Sequence, residues 1–140
     1  MTHLPEHDLE KLKSELKSFH QDLIEAHLEK DLDFFVKDLS EDYFSVTSAE
    51  IRRPTREQIL EKFEYYLGRT TFTEYHDLEE PVIGISHDGS LGWSLVRVKI
   101  AGKQEQEDGS LADLDFSCAW ITLFERRDGK WLRMGEVSSF

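Results

Sequence analysis

Apolar positions recur with a helical period in the first half of the chain and crowd into strand-length runs in the second. Leu9, Leu12, Leu16, Phe19 and Leu23 are spaced 3-4-3-4, with Ala26 or His27 next, which draws one apolar stripe along a helix from about Asp8 to Lys30. Two heptads are too few for a coiled coil. Asp31 opens a second short helix carrying Leu32, Phe34, Phe35 and Leu39, and Asp42 to Thr47 reads as a first strand with a turn before Ile51. Pro54-Thr55-Arg56-Glu57-Gln58 is a helix start in which Thr55 and Gln58 form a capping box. Ile59, Leu60, Phe63, Tyr66 and Leu67 make that helix's apolar face, and Gly68 is its expected left-handed cap.

Strand character then dominates. Thr70 to Leu78 continues after Pro81 into Val82 to Ser86, and a proline there calls for a bulge, a bend or a sheet edge. Ile83 to Ser86, Leu91 to Ile100, Leu114 to Arg126 and Lys130 to Val137 are separated by Asp88-Gly89, Asp108-Gly109 and Asp128-Gly129. Asp-Gly takes the positive φ angles of tight turns, so the runs form an antiparallel meander. The polar stretch Gly102 to Asp113 is expected as a long exposed hairpin tip. Helices that precede such a meander cover one of its faces. The expected fold class is α+β: one domain over residues 1–140, with three helices in the N-terminal half packed on a strongly curved, mostly antiparallel sheet. A sheet curved over helices can enclose a pocket.

Composition narrows the functions. A net charge of −12 argues against nucleic acid, whose binding relies on Lys and Arg. It also disfavours an anionic ligand unless a local cation receives it. No apolar run approaches the roughly 20 residues of a membrane span, so no membrane partner is expected. Met1 to Glu6 has neither a basic start nor an apolar core for export, and the single Cys118 fits a reducing cytoplasm. His20, His27 and Asp31 fall seven and four residues apart, but no His-Glu-x-x-His or paired-cysteine pattern accompanies them. No Gly-rich phosphate loop is present either. Neither a metal nor a cofactor is expected.

Three segments carry a family resemblance: Asp42-Tyr43-Phe44-Ser45-Val46, Pro54-Thr55-Arg56-Glu57-Gln58-Ile59, and Asp128-Gly129-Lys130-Trp131-Leu132-Arg133 followed by Ser138-Ser139-Phe140. Together with the element order, they make the chain resemble the nuclear transport factor 2-like superfamily. Ketosteroid isomerases, scytalone dehydratase and SnoaL-like polyketide cyclases share its cone-like α+β barrel. The resemblance implies a pocket between the concave sheet face and the helices. It also implies binding of a small apolar or aromatic molecule with a polar group, with cofactor-free acid-base chemistry in the enzyme members. The alternative is a dimerisation or adaptor domain whose cone is filled by side chains. The isomerases use a carboxylate near the end of the first strand; here that stretch is Val46-Thr47-Ser48-Ala49, with no ionisable group before Glu50.

Strand alternation sorts the candidates. Trp93, Leu95 and Arg97 share one side, opposite Ser94, Val96, Val98 and Ile100; Phe116, Cys118, Trp120, Thr122 and Phe124 oppose Ser117, Ala119, Ile121 and Leu123. Both faces are apolar, which suits helices on one and a partner subunit on the other, so a homodimer through the outer sheet face is expected. The larger residues, Trp93, Arg97, Phe116 and Trp120, are assigned to the cavity. Arg97 in an apolar strand has three readings: an ion pair with Glu136, a sheet-edge residue reaching solvent, or a receiver of a ligand's acidic group. His76, beside Glu74 and Asp77, is an acid-base candidate, with an exposed or interfacial histidine as the alternative. Asp42 and Glu136 are the carboxylate candidates, although Asp42 also suits a turn. Tyr43 and Tyr66 are ligand-contact candidates whose hydroxyls, like that of Tyr65, could meet a bound carbonyl.

Overall fold

The computed structural model describes residues 3–140. Helix α1 (Glu6–Glu29) buries Leu12, Leu16 and Leu23 from the expected stripe, together with His20, Ala26 and His27. It ends at Lys30, which takes a left-handed φ of 59° and sends its N–H back to Ala26 and His27 carbonyls. Helix α2 (Arg56–Gly68) starts with both halves of the capping box: Gln58 N–H donates to Thr55 Oγ1 at 3.1 Å, and Thr55 N–H donates to Gln58 Oε1 at 2.9 Å.

Two expectations change here. The second helix is a single 3₁₀ turn, Leu32–Phe35, so the described residues form two α-helices rather than three. Phe34, Phe35 and Val36 are all buried in succession, a pattern that an α-helix with one inward stripe does not produce. Gly68 is not the left-handed cap. Arg69 ends the helix at φ −110° instead, its guanidinium donating to Glu105 O at 3.1 Å and lying 4.4 Å from the Tyr65 ring.

Seven strands form one sheet: β1 (Leu39–Thr47), β2 (Glu50–Arg52), β3 (Thr70–Asp77), β4 (Val82–Ile85), β5 (Leu91–Glu105), β6 (Leu111–Arg127) and β7 (Lys130–Ser138). The order is β2-β1-β7-β6-β5-β3, with β4 also on β5. Among the described residues only the β1–β7 pair is parallel. Strands β3 and β4 share one edge of β5, interrupted around Pro81, as the proline requires. All three Asp-Gly turns hold their glycine at positive φ. Strands β5 and β6 pair as far as Glu105 and Leu111, so most of the expected exposed tip is regular hairpin.

Three irregularities re-aim side chains. Phe124 pairs with Arg133 but Leu123 pairs with Gly135, which leaves Met134 as an extra residue in β7. A similar slip between Phe72 and Glu74 marks β3, and a larger one between Leu39 and Phe44 marks β1. Such bulges bend a strand and reverse the face of every residue beyond them. The helices cover the even-numbered face of β5 and β6, where Val96, Val98, Ile100, Cys118, Trp120 and Phe124 are buried.

Candidate functional site

Between that inner sheet face, α2 and the C-terminal half of α1 lies a cavity of about 530 Å³, within the size range of small-molecule sites. Its wall is apolar and aromatic. Phe35, Phe63, Tyr66, Tyr75, Phe116 and Trp120 line it, with Phe35 stacked on Phe63 at 4.0 Å between centroids. The β3 bulge is what brings Tyr75 inward: Phe72 and Tyr75, three residues apart, share the inner face although regular alternation would separate them.

The β7 bulge has the larger chemical consequence. With Met134 looped out, Arg133 pairs with inward Phe124 and Glu136 with inward Thr122, so both charged residues face the interior. Gly135 between them lies against the Phe44 ring on the other side, where a Cβ would come within 2.4 Å of it. Burial holds the Glu136 carboxyl above the usual range, although Arg133 and Lys62 pull the other way. Arg133 is 5% exposed and donates through Nη2 to Phe35 O at 2.6 Å. Its Nε is buried without a partner, and its guanidinium carbon lies 5.7 Å from the Phe19 ring and 5.9 Å from the Tyr43 ring. Burial lowers the Arg133 pKa, which nearby Tyr43, Glu136 and Asp38 partly oppose. Beyond Arg133 lies a second, smaller cleft of about 200 Å³ that it shares with Phe19, Phe124 and Trp131.

Burial favours the neutral forms of Tyr43, Tyr66, Tyr75, Cys118 and His27 in the wall. Desolvation raises the pKa values of the Tyr43 and Tyr75 hydroxyls and pushes Tyr66 up to about 12 and Cys118 up to about 11. His27 is lowered to about 4 by burial. Its Nδ1 lies 2.8 Å from Leu23 O, so Nδ1 carries the proton and Nε2 is left as an acceptor inside a cage of Phe35, Phe63 and Tyr75 rings. The mouth is formed by exposed Arg52, Gln58, Lys62, Tyr65 and Phe140.

Of the residues singled out from sequence, Tyr43, Tyr66, Phe116, Trp120 and Glu136 come together around this cavity. Trp93 and Arg97 do not. They lie on the outer sheet face, Trp93 39% exposed with its indole across Gly84 and Arg97 opposite Ala119. Arg97 and Glu136 therefore occupy opposite faces and form no ion pair. The β5–β6 loop fixes this register: it sets Val96, not Arg97, opposite Trp120. His76 is exposed, 3.6 Å from Glu74, and Asp42 is exposed with its carbonyl accepting from Arg53 at 3.2 Å. His20 leaves the histidine stripe for Asp77, at 2.6 Å. Arg133, His27 and Lys62 are among the lining residues that the sequence did not single out as ligand contacts. Nothing local marked Arg133, because regular alternation from Glu136 places it on the other face; the 3-4 spacing of the α1 stripe did reach His27.

No protein-family model matches the sequence, and no curated protein matches it. The structure is similar to many solved ones. A nuclear transport factor 2-like superfamily protein from Salmonella enterica serovar Typhimurium aligns with a TM-score of 0.72 at 14% identity, covering 93% of this chain and 91% of that one. A nuclear transport factor 2-like protein from Cytophaga hutchinsonii gives 0.67 at 16% identity over 96% and 98%. The association domain of C. elegans CaMKII gives 0.63 at 11% identity over 95% and 98%. The chain has the nuclear transport factor 2-like α+β fold.

Proposed function

We propose that this nuclear transport factor 2-like fold is a small-molecule pocket protein that takes an apolar or aromatic compound with a polar group, with Glu136 as its acid-base residue. One observation carries the reading: a cavity of about 530 Å³ with aromatic walls ends on a carboxylate whose pKa burial raises. A protonated Glu136 can donate to a bound carbonyl, and once ionised it can take a proton from an adjacent carbon. Tyr43 beside it offers a neutral hydroxyl. His76 and Asp42 face solvent and have no part in this chemistry. The bulges in β1, β3 and β7 support a sheet curved as a cone, and the volume of the cavity counts against a cone filled by side chains.

The outer face supports a homodimer. Ile51, Val46, Val137, Ile121, Leu95 and Val82 stand in register across six strands, an apolar row with Trp93 alongside. Several are well exposed, including Leu95 at 46% and Val82 at 54%. The likeness to an association domain agrees with assembly with a second chain.

Titration with a panel of aromatic ketones, read by Trp120 fluorescence and thermal melting, tests the pocket. Binding to the wild type that is lost in Ser45→Phe, which fills the cavity from β1, is the expected result. If no member binds, or if binding persists in that variant, the pocket reading is wrong.

A further inference from the structure

The charge around the cavity runs against the charge of the chain. Overall the net charge is −12, yet the cavity lining holds three cations, Arg52, Lys62 and Arg133, against the single carboxylate of Glu136. Helix α2 sorts its charges accordingly. Lys62 lines the mouth, and its helical neighbours three and four residues away, Gln58, Ile59, Tyr65 and Tyr66, include no acid. Glu57, Glu61 and Glu64 lie outside the cavity lining. Arg53, before α2, and Arg56, its first residue, add to Arg52. Arg52 is paired to Glu50, whereas Lys62 makes no salt bridge among the described residues. At the far end, buried Arg133 meets a backbone carbonyl rather than a carboxylate and leaves Nε without a partner.

Buried Arg133 without a contacting anion costs desolvation energy that a bound anion would offset, and exposed Lys62 at the mouth is a cation with no salt-bridge partner among the described residues. Resting on the pocket reading above, we infer that the ligand is an amphipathic organic monoanion: an aromatic or alkyl body fills the cavity, and its carboxylate stays at the mouth against Lys62. The cation is placed where the headgroup keeps part of its hydration. The apolar body needs no polar partner and meets the rings of Phe63, Tyr66, Phe116 and Trp120. The positive potential from Arg133 attracts the same ligand along the length of the cavity. A neutral compound of equal shape gains the apolar contacts but not this attraction.

A matched pair of probes separates the two levels of the claim. 4-Biphenylacetate and 4-biphenylacetamide have nearly the same shape and differ in charge, and calorimetric titration of the full chain gives both affinities. The acid should bind about two- to fivefold tighter than the amide, the scale of one ion pair at an open mouth. Lys62→Gln should remove most of that preference by weakening the acid more than the amide, and added salt should shrink it because the mouth is exposed. Equal affinities, a preference for the amide, or a preference that survives both Lys62→Gln and salt would overturn the anion assignment while leaving a pocket protein. Binding of neither probe would overturn this inference and count against the pocket as well.

Discussion

Acid should destabilise this protein through one histidine. His27 sits in the cavity wall at 7% exposure, its ring 4.6 Å from that of Tyr75 and 4.9 Å from that of Phe35. Protonation would place a cation in an aromatic cage with no carboxylate against it, and nearby His20 adds repulsion when charged. The folded-state pKa is about 4, lowered from 6.5. Because the folded value is depressed, the unfolded chain binds the proton first as pH falls. The stability is therefore fully present above 6.5 and is lost progressively down to about 4. At about 1.4 kcal/mol per pH unit, the loss amounts to about 3 kcal/mol, a large part of a small domain's stability. His27→Asn isolates the effect, since its amide can still donate to Leu23 O in place of Nδ1 but cannot take up a proton. Urea unfolding of both proteins at steps between pH 7 and 4.5 should show the variant less stable at neutral pH, from lost packing, with the gap closing as the pH falls. Parallel stability curves would refute the argument. So would a His27 ring proton that titrates near its ordinary value by NMR.

Other expectations follow from single contacts. Phe35→Ala removes the ring stacked on Phe63 and should cost about 3–5 kcal/mol, measured by denaturant unfolding. Gly102→Ala sets a Cβ 2.1 Å from Thr71 O and 2.9 Å from Phe72 Cα, backbone atoms that cannot swing aside; β3 must shift, and a loss of about 1–3 kcal/mol should appear as a lower melting temperature. Glu136→Gln should gain on the wild type as pH rises. Burial raises the folded pKa of Glu136, so its stabilising contribution is complete below 4.5 and fades as pH climbs through the folded value; chemical denaturation at pH 4 and pH 8 reads the difference. Leu95→Asp, at an exposed position on the outer face, should halve the mass found by light scattering without unfolding the chain; an unchanged mass would remove the proposed dimer face.

The parts of the fold that local chemistry dictates were legible. Thr55 and Gln58 satisfy each other's backbone groups whatever the rest of the chain does, and Asp128-Gly129, both at positive φ, closes a hairpin by itself. What failed depended on distant pairing. Size groups Trp93 and Arg97 with Phe116 and Trp120 on one face, but cross-strand partners are set by the β5–β6 loop, and one residue more or less reverses the choice. Alternation within a strand says which residues travel together and is silent on which set goes inside. Likewise, Leu32 to Phe35 has enough apolar residues for a helix, but all three of Phe34, Phe35 and Val36 are drawn into the core, and a 3₁₀ turn spends fewer residues doing it.

The same point explains why the cavity's polar groups were the hardest to see. On a regular β7, Arg133 and Glu136 would face opposite ways: one would end in the interior and the other on the apolar outer row. Looping out Met134 puts both inside, so a cation and a carboxylate share the wall of an otherwise aromatic chamber. Burial of that pair is unfavourable in isolation, and Arg133 is only partly satisfied by Phe35 O. A packed core would be more stable with apolar residues at both positions. Keeping the two charges requires an extra residue in β7 and a glycine at 135 to make room for Phe44. Two features of one short strand, the extra Met134 and the glycine at 135, thus accompany the polarity of the cavity rather than the strength of the fold, and they are why Glu136 carries the proposed acid-base role.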